Sequence, residues 1–525
     1  MGLLLKKPSD QEGSAVPAIV IGIFVAFGGL LYGYDTGTIG GILAMKYWRE
    51  LFSTGYINPV DGGLDVSPSQ SAEIVSILSA GTFFGALAAA PFGDMLGRRP
   101  GLIVSTVIFT LGVILQTIAT AIPMFVAGRF FAGFGVGTIS ALVPLYQSET
   151  APKWIRGTIV GAYQLAITIG LLLASIVNNA TKNRADTGSY RIPVAVQFAW
   201  AIILVGGMLF LPETPRYLIK CGQPEKAAES LGRLRRLDVS HVAIQQELNE
   251  IDANLRYELS LGKATYIDSF KGTDGKRLAT GCALTALAQL AGVNFIFYYG
   301  TQYFSNSGID NAFVVTLITN VVNVCSSFPG LYLVEKWGRR PLLLFGALGM
   351  CVSQLLVAIV GTTASSTVAN KVLIAFVCIF IFFFACSWGP CNWVVTSELF
   401  SLKVRAKSLS LATATSWLMN WAIAYSTPYL VNDGPGEAGL ESRVFFIWSG
   451  FCLISSFFVY FCIYETKGLS LEQVDELYDT VKSARKSAKF VPIESFQDKE
   501  KNALKLADPA QAMDSKTTSA HLEEL

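Results

Sequence analysis

Apolar runs recur along most of the chain, each near the roughly 20 residues that a helix needs to cross a bilayer, with short charged breaks between them. Read run by run they number about twelve, at 17–45, 71–92, 101–121, 124–146, 158–179, 193–211, 278–303, 312–334, 341–361, 372–396, 408–430 and 443–464. Two polar segments interrupt the pattern, one at 213–275 and one from about 467 to the end. The pattern predicts an all-α membrane protein of twelve transmembrane helices.

Composition agrees. Of 525 residues 52% are hydrophobic and only 15% charged, against about 25% charged in an average soluble domain. This excludes a soluble enzyme, a nucleic-acid binder and a disordered scaffold. The net charge of +2 asks for no polyanionic partner. Eight of the nine cysteines lie inside apolar runs, Cys221 lies in a polar stretch, and His241 and His521 fall in polar segments. No CxxC spacing occurs, so neither a disulfide framework nor a Cys/His metal site is expected. Lys6, Lys7, Asp10 and Glu12 precede the first run without a small-residue cleavage site, which reads as a retained span.

Charge placement sets orientation. The side holding 213–275 and both termini carries Arg98, Arg99, Lys153, Arg156, Lys336, Arg339, Arg340, Lys403, Arg405 and Lys407 in its short loops. The other side carries fewer basic residues, chiefly Lys46, Arg49, Lys182, Arg184, Arg191, Lys371 and Arg443. The positive-inside rule then makes the first side cytoplasmic, with both termini on it. The sequon Asn179-Ala180-Thr181 falls on the opposite side, close to the membrane, as a candidate glycan acceptor. Within 213–275, Pro224-Glu225-Lys226 opens a helical stretch that ends in Arg233, Arg235 and Arg236, the charge order a helix dipole favours. A second stretch, Ser240 to about Leu259, spaces Val242, Ile244, Leu248, Ile251 and Leu255 as an amphipathic helix does. A solvated linker is the alternative.

Three polar cassettes occur twice in the same order, about 240–250 residues apart. Gly93-Asp94-Met95-Leu96-Gly97-Arg98-Arg99-Pro100 is matched by Glu335-Lys336-Trp337-Gly338-Arg339-Arg340-Pro341; Glu149 and Arg156 by Glu398 and Arg405; Pro212-Glu213-Thr214 by Tyr464-Glu465-Thr466. The chain divides accordingly into an N-terminal tail (1–16), a six-helix half (17–212), a cytoplasmic helical linker (213–275), a second six-helix half (276–466) and a C-terminal tail (467–525) expected to be disordered beyond about 485. Two homologous halves with a site between them at mid-depth give the alternating-access plan of secondary transporters. Acids and arginines at the cytoplasmic helix ends (Asp94, Arg98, Arg99, Glu149, Arg156, Glu213, Glu335, Arg339, Arg340, Glu398, Arg405, Glu465) can pair and hold that face closed, forming a cytoplasmic gate. Plain positive-inside anchoring is the alternative, but it does not explain acids at fixed spacing.

With these cassettes and Pro212-Glu213-Thr214-Pro215-Arg216, the chain resembles the sugar porter family of the major facilitator superfamily from about 20 to 480. Gly292-Val293-Asn294-Phe295-Ile296-Phe297-Tyr298-Tyr299-Gly300 is similar in particular to fungal monosaccharide transporters. The resemblance implies the major facilitator fold, a plasma membrane setting and a hexose such as glucose as substrate.

Ionisable residues inside a span are costly and functional by default. Asp35 lies inside the first run and Arg129 in the outer part of the fourth; facing inward, they would lower each other's cost by pairing. A carboxylate whose proton affinity depends on burial and on a nearby guanidinium can switch as the halves move, which is what proton coupling needs. The resemblance agrees, since proton-driven sugar porters have an aspartate at this position where many facilitators have a neutral residue. A static pair that only fixes packing is the alternative.

Neutral amides (Gln164, Gln289, Asn294, Asn323, Asn420) and Trp393 beside the Gly389-Pro390 break suit the hydroxyls and the apolar ring face of a sugar better than an ion. Each amide alone could equally be interhelical glue. The resemblance implies that Gln164, Gln289, Asn294, Asn323, Trp393 and Asn420 contact the sugar, that Tyr32 and Ile167 line the pocket, and that Tyr298 and Tyr299 close its outer side. One position departs from the pattern: the family commonly has two consecutive glutamines in the seventh span, and here they are Ala288-Gln289. The reading is a monomeric proton symporter for a monosaccharide, with no cofactor, metal or nucleic-acid partner. A passive facilitator, or a sugar sensor on the same fold, is the alternative.

Overall fold

The computed structural model describes residues 13–490 apart from 59–61, 153–154, 261–264, 307–310, 364–365, 402–403, 433–436 and 470. Lys153, Lys403 and the tail beyond 490 lie outside the described residues.

The described chain is nearly all helix. Eleven helices are long and apolar enough to cross a membrane. The long helix Arg405–Val431 completes the set of twelve at lower hydropathy, because Ser408, Ser410, Thr413, Ser416, Asn420 and Thr427 are buried along it. Such a helix gains its place by facing protein on most sides, where small polar side chains find partners.

Three spans are interrupted. The first consists of Val16–Val25 and Phe27–Ile42, and the seventh of Gly272–Leu290 and Val293–Asn306. The tenth runs as Thr367–Phe383, a π-helical turn at Phe384–Trp388, and Gly389–Leu399. Pro390 has no backbone N–H to give to the preceding turn, and the wider turn before it absorbs the mismatch. Trp388 at this turn is fully buried and donates its Nε1–H to Leu343 O at 3.0 Å, so it ties the ninth span (Arg339–Thr363) to the tenth.

Within the first half, the fourth span (Ile122–Thr150) packs along the second (Pro68–Met95) and the third (Arg98–Ile118), and the first packs along the fifth (Arg156–Thr181). The halves meet chiefly through the second span against the eleventh and the fifth against the eighth (Ala312–Trp337). They touch at both ends of the bundle. A Cβ on Gly40 would lie 2.5 Å from Phe297 O on the side away from the linker, and one on Gly161 would lie 2.5 Å from Leu331 Cδ2 on the linker side.

On the linker side lie helices Pro215–Lys220, Pro224–Arg235 and Val242–Ser260. Helix Leu471–Thr480 and the 3-10 turn Ala484–Lys489 follow the last span (Val444–Cys462). Both elements belong to the C-terminal tail. It is held by Arg277, buried in the seventh span, which bonds the Asp475 carboxylate and lies 4.5 Å from the Tyr478 ring centre. On the opposite face, helix Lys46–Phe52 leads into an antiparallel pair, Tyr56–Ile57 with Leu64–Asp65. Buried Asp65 anchors it by accepting from Arg49 Nη1 at 3.2 Å and Asn58 Nδ2 at 2.9 Å.

Candidate functional site

The turn between the second and third spans needs a residue with positive φ: Gly97 has φ 101°, and Gly338 between the eighth and ninth has φ 99°. L side chains rarely adopt this backbone, and a Cβ would also lie 2.6 Å from Glu213 Oε2 at the first position and 2.7 Å from Glu465 Oε2 at the second. The bare glycines let each acid reach the backbone N–H groups that open the next helix. Glu213 accepts from Arg99 N at 3.1 Å, and Glu465 from Arg339 N and Arg340 N at 3.0 Å. A carboxylate there also complements the positive end of the helix dipole. Burial nevertheless pushes the Glu213 carboxyl above its ordinary value.

The following arginine pairs with the acid at the end of the next helix. Arg98 donates to Glu149 through Nε at 3.1 Å and Nη2 at 3.0 Å. Arg339 donates to Glu398 through Nε at 3.2 Å and Nη2 at 2.8 Å. Asp94 and Glu335 add weaker second contacts at 3.5 and 3.4 Å. Both main pairs therefore join helices of the same half, so they do not bridge the two halves as a direct lock would. Arg156 does not join the first pair. It stands at the start of the fifth span facing Arg216, Arg235, Glu247 and Glu250. Arg405 donates from Nε to Ser397 O at 3.1 Å.

Deeper in the bundle, Asp35 and Arg129 are 0% and 1% exposed. Arg129 Nη1 lies 3.1 and 3.2 Å from the two carboxylate oxygens, and its Nε donates to Ile74 O at 3.4 Å. Gln197 of the sixth span (Gly188–Phe210) approaches the same carboxylate. Arg129 Nη2 and both polar atoms of Gln197 are buried without a hydrogen-bond partner.

A neutral polar cluster occupies the interface between the halves. Trp393 donates Nε1–H to Gln164 Oε1 at 3.1 Å, and its ring meets Tyr163 edge-on at 6.2 Å. Asn294 donates to Gln289, Gln289 Nε2 donates to Ser416 Oγ at 2.8 Å, and Asn420 Nδ2 to Gln289 Oε1 at 3.4 Å. Asn420 Oδ1 accepts from Tyr298 at 3.1 Å and, across the halves, from Ser79 at 2.9 Å. Tyr32 of the first span meets the Trp417 ring edge-on at 5.2 Å.

Of the residues picked from the sequence, Gln164, Gln289, Asn294, Trp393 and Asn420 are thus hydrogen-bonded within this interface. Tyr298 joins the same cluster, and it stands within electrostatic reach of Asp35 and Arg129. Tyr299 instead donates to Ala424 O at 2.7 Å and ties the seventh span to the eleventh. Ile167 packs its backbone against Gly33, and Asn323 is buried on the eighth span without a side-chain bond to the cluster. Asn179, the candidate glycan acceptor, lies near the end of the fifth helix with its Oδ1 buried. The sequence reading missed Ser79, Ser416, Trp417 and Gln197.

A two-half bundle with amides on its midline is a transporter architecture, and the comparisons name its class. Residues 21–478 match the family model described as sugar (and other) transporter. The chain therefore belongs to the sugar transporter family of the major facilitator superfamily. It is 65% identical over 94% of its length to the major facilitator-type transporter ecdD of Aspergillus rugulosus, covering 93% of that protein. To the probable glucose transporter rco-3 of Neurospora crassa it is 53% identical, over 94% of this chain and 84% of that one. To the high glucose sensor RGT2 of Saccharomyces cerevisiae it is 44% identical, over 93% of this chain and 64% of that one. Among solved structures, the proton:xylose symporter XylE bound to 6-bromo-6-deoxy-D-glucose superposes with TM-score 0.75 at 26% identity, over 89% of this chain and all of that one. The protein is a multi-pass membrane sugar transporter and not an enzyme.

Proposed function

We propose that this protein imports a monosaccharide, glucose or a related hexose, across the plasma membrane by proton symport with alternating access. The linker and both termini then lie in the cytoplasm. The observation that carries this reading is the buried Asp35–Arg129 pair standing within reach of Tyr298, whose hydroxyl is bonded into the amide cluster. Protonating Asp35 would release Arg129 and change the field at Tyr298. That gives sugar binding and proton binding a shared element.

Gln164, Gln289, Asn294, Asn420 and Trp393 are the proposed sugar contacts, with Asn323, Ile167 and Tyr32 lining the pocket and Tyr298 and Tyr299 on its outer side. The amides offer donors and acceptors to hydroxyls, and the Trp393 face offers an apolar plane to the ring. The duplicated charge cassettes act at the cytoplasmic gate by fixing helix ends within each half. Coupling has a clear use: about 2.3 kcal/mol per charge at 100 mV and about 1.4 kcal/mol per pH unit support accumulation of roughly several hundredfold.

The test is labelled-glucose uptake in a transporter-deficient yeast with and without a protonophore. Accumulation above the outside concentration that collapses with the protonophore supports the proposal. Uptake that only equilibrates, indifferent to the protonophore, makes the protein a facilitator. Surface expression with sugar binding and no uptake makes it a sensor, the activity carried by the name of one relative.

A further inference from the structure

The linker-side corners of the two halves share one contact. In the first half Arg99 Nη2 donates to Leu209 O at 2.6 Å; in the second its counterpart Arg340 donates to Tyr460 O at 2.9 Å. Beyond that the second half adds a cation from the tail. The turn Ala484–Lys489 brings the Arg485 guanidinium to 4.8 Å from the Tyr460 ring centre and 4.5 Å from that of Phe461, while Arg340 lies 5.5 Å from the Tyr460 ring. Two guanidinium groups thus share one tyrosine. Among the described residues neither has a carboxylate in ion-pairing range of its guanidinium. Glu465, in the same corner, engages its oxygens with the backbone N–H groups of Arg339, Arg340 and Lys467. Lys467 adds a further cation, donating to Lys336 O at 2.8 Å.

The aromatic floor faces outward from the bundle: Tyr460 is 44% and Phe461 52% exposed, and Phe457 one turn earlier is 58% exposed. These side chains belong to the end of the last span, whose outward face would meet acyl chains in a bilayer. The tail is also pinned at this spot. Ser487 Oγ accepts from Glu465 N at 2.9 Å and donates to Ala484 O at 2.6 Å, and Ala484 is buried.

We infer that Arg340 and Arg485, over Tyr460 and Phe461, form a binding site for the headgroup of an anionic phospholipid at the linker-side surface of the membrane. Arginine forks donate paired N–H groups to phosphate oxygens. The flat aromatic stack fixes the guanidinium planes at the headgroup level and leaves the acyl chains against Phe457 and Phe461. The position of the site follows from the fold alone. That it faces the anionic leaflet rests on the cytoplasmic placement proposed above, and a symmetric synthetic bilayer removes that dependence.

The test uses the full-length protein reconstituted with equal phosphatidylserine and phosphatidylcholine, extracted mildly, and its retained lipids counted by native mass spectrometry. The wild type should retain phosphatidylserine in preference to phosphatidylcholine. Arg485→Gln should lower that preference about five-fold, the factor equivalent to about 1 kcal/mol for one basic residue at a membrane surface, and Arg485→Lys should keep most of it. Sugar transport by Arg485→Gln in phosphatidylcholine alone should match the wild type, which shows that the variant is folded. Equal retention of both lipids, or a preference indifferent to Arg485→Gln, overturns the inference. Displacement of the retained lipid by millimolar inorganic phosphate would assign the site to a soluble anion and overturn it as well.

Discussion

Replacing Asp35 separates two roles that the Asp35–Arg129 pair could play. In Asp35→Asn the guanidinium of Arg129, 1% exposed, keeps a contact of 3.4 Å to Ile74 O and one amide oxygen, while its Nη2 has no partner even in the wild type. Breaking a buried pair by removing one partner costs about 3–5 kcal/mol; the retained amide places this case near the lower end. Arg129→Gln leaves the opposite charge buried and should cost about as much. The double variant Asp35→Asn/Arg129→Gln buries no charge, so most of the loss should return. Thermal unfolding of the purified proteins reads this cycle, and uptake with a protonophore reads the coupling. Stability should fall in both single variants and recover in the double one, whereas accumulation above the outside concentration should be absent from all three. Recovery of protonophore-sensitive accumulation in the double variant would refute a coupling role for the carboxylate. Single variants as stable as the wild type would refute the energetic account of the pair.

Other consequences are open to measurement. Trp393→Phe keeps an aromatic ring and removes the donor to Gln164, a loss of about 0.5–1.5 kcal/mol, so the melting temperature of the sugar-free protein should fall by a few degrees. Arg98→Gln should lower the melting temperature more than Arg339→Gln, since the partner Glu149 side chain is 5% exposed and Glu398 is 22% exposed. Gly33→Ala should abolish folded protein, because the new Cβ would lie 2.0 Å from Ile167 O; Gly450→Ala, with nothing within 4 Å, should raise helix stability by up to about 1 kcal/mol, both read by yield and melting in detergent. Burial is the largest influence on Asp475 and pushes its carboxyl above the ordinary 3.8 despite Arg277. A raised folded-state value means that its contribution to stability is present in full below 3.8 and lost as pH climbs through the raised value. From pH 4 to 7 the wild type should therefore lose melting temperature relative to Asp475→Asn, and parallel curves would contradict this.

The twelve apolar runs and the duplicated cassettes were legible because each is a long-range pattern in composition. Twenty apolar residues have few other uses, and three ordered repeats are improbable by chance. Asp35 and Arg129 were legible for a related reason, that a charge inside an apolar run is expensive. Ser79 and Ser416 carry no such signal, since serine is tolerated anywhere on a transmembrane helix and is distinguished only by what it faces. Gln197 and Trp417 were each one polar or aromatic residue among many, and their significance lies in neighbours from other spans, Asp35 and Tyr32. The interruptions at Ala26 and Ala291-Gly292 leave the apolar run intact, so a window over hydropathy passes across them. The short helix and strand pair at 46–65 depend on the Asp65 contacts with Arg49 and Asn58, which no periodicity announces.

The division of labour between charged and neutral contacts bears on how the halves can move. The buried cassette pairs Arg98–Glu149 and Arg339–Glu398 both act within a half, and so does Asp35–Arg129. Disrupting any of them would leave a buried charge alone, at several kcal/mol. Between the halves the principal side-chain contacts at the cluster are Trp393 with Gln164, Ser79 with Asn420 and the edge-on Tyr32–Trp417 pair. Such neutral contacts contribute about 0.5–1.5 kcal/mol each, and a sugar hydroxyl or a water can replace them with little net loss. Each half is therefore stiff and the seam between them soft, as a rocking transition requires. In the proposed transition the cassettes would then serve by rigidity and not as a bolt across the seam. It follows that a charge-swapped pair, Arg98→Glu with Glu149→Arg, should restore transport that either single reversal abolishes. A bolt between the halves would gain nothing from an exchange confined to one of them, so continued absence of transport in a folded double variant would count against the rigid-half account.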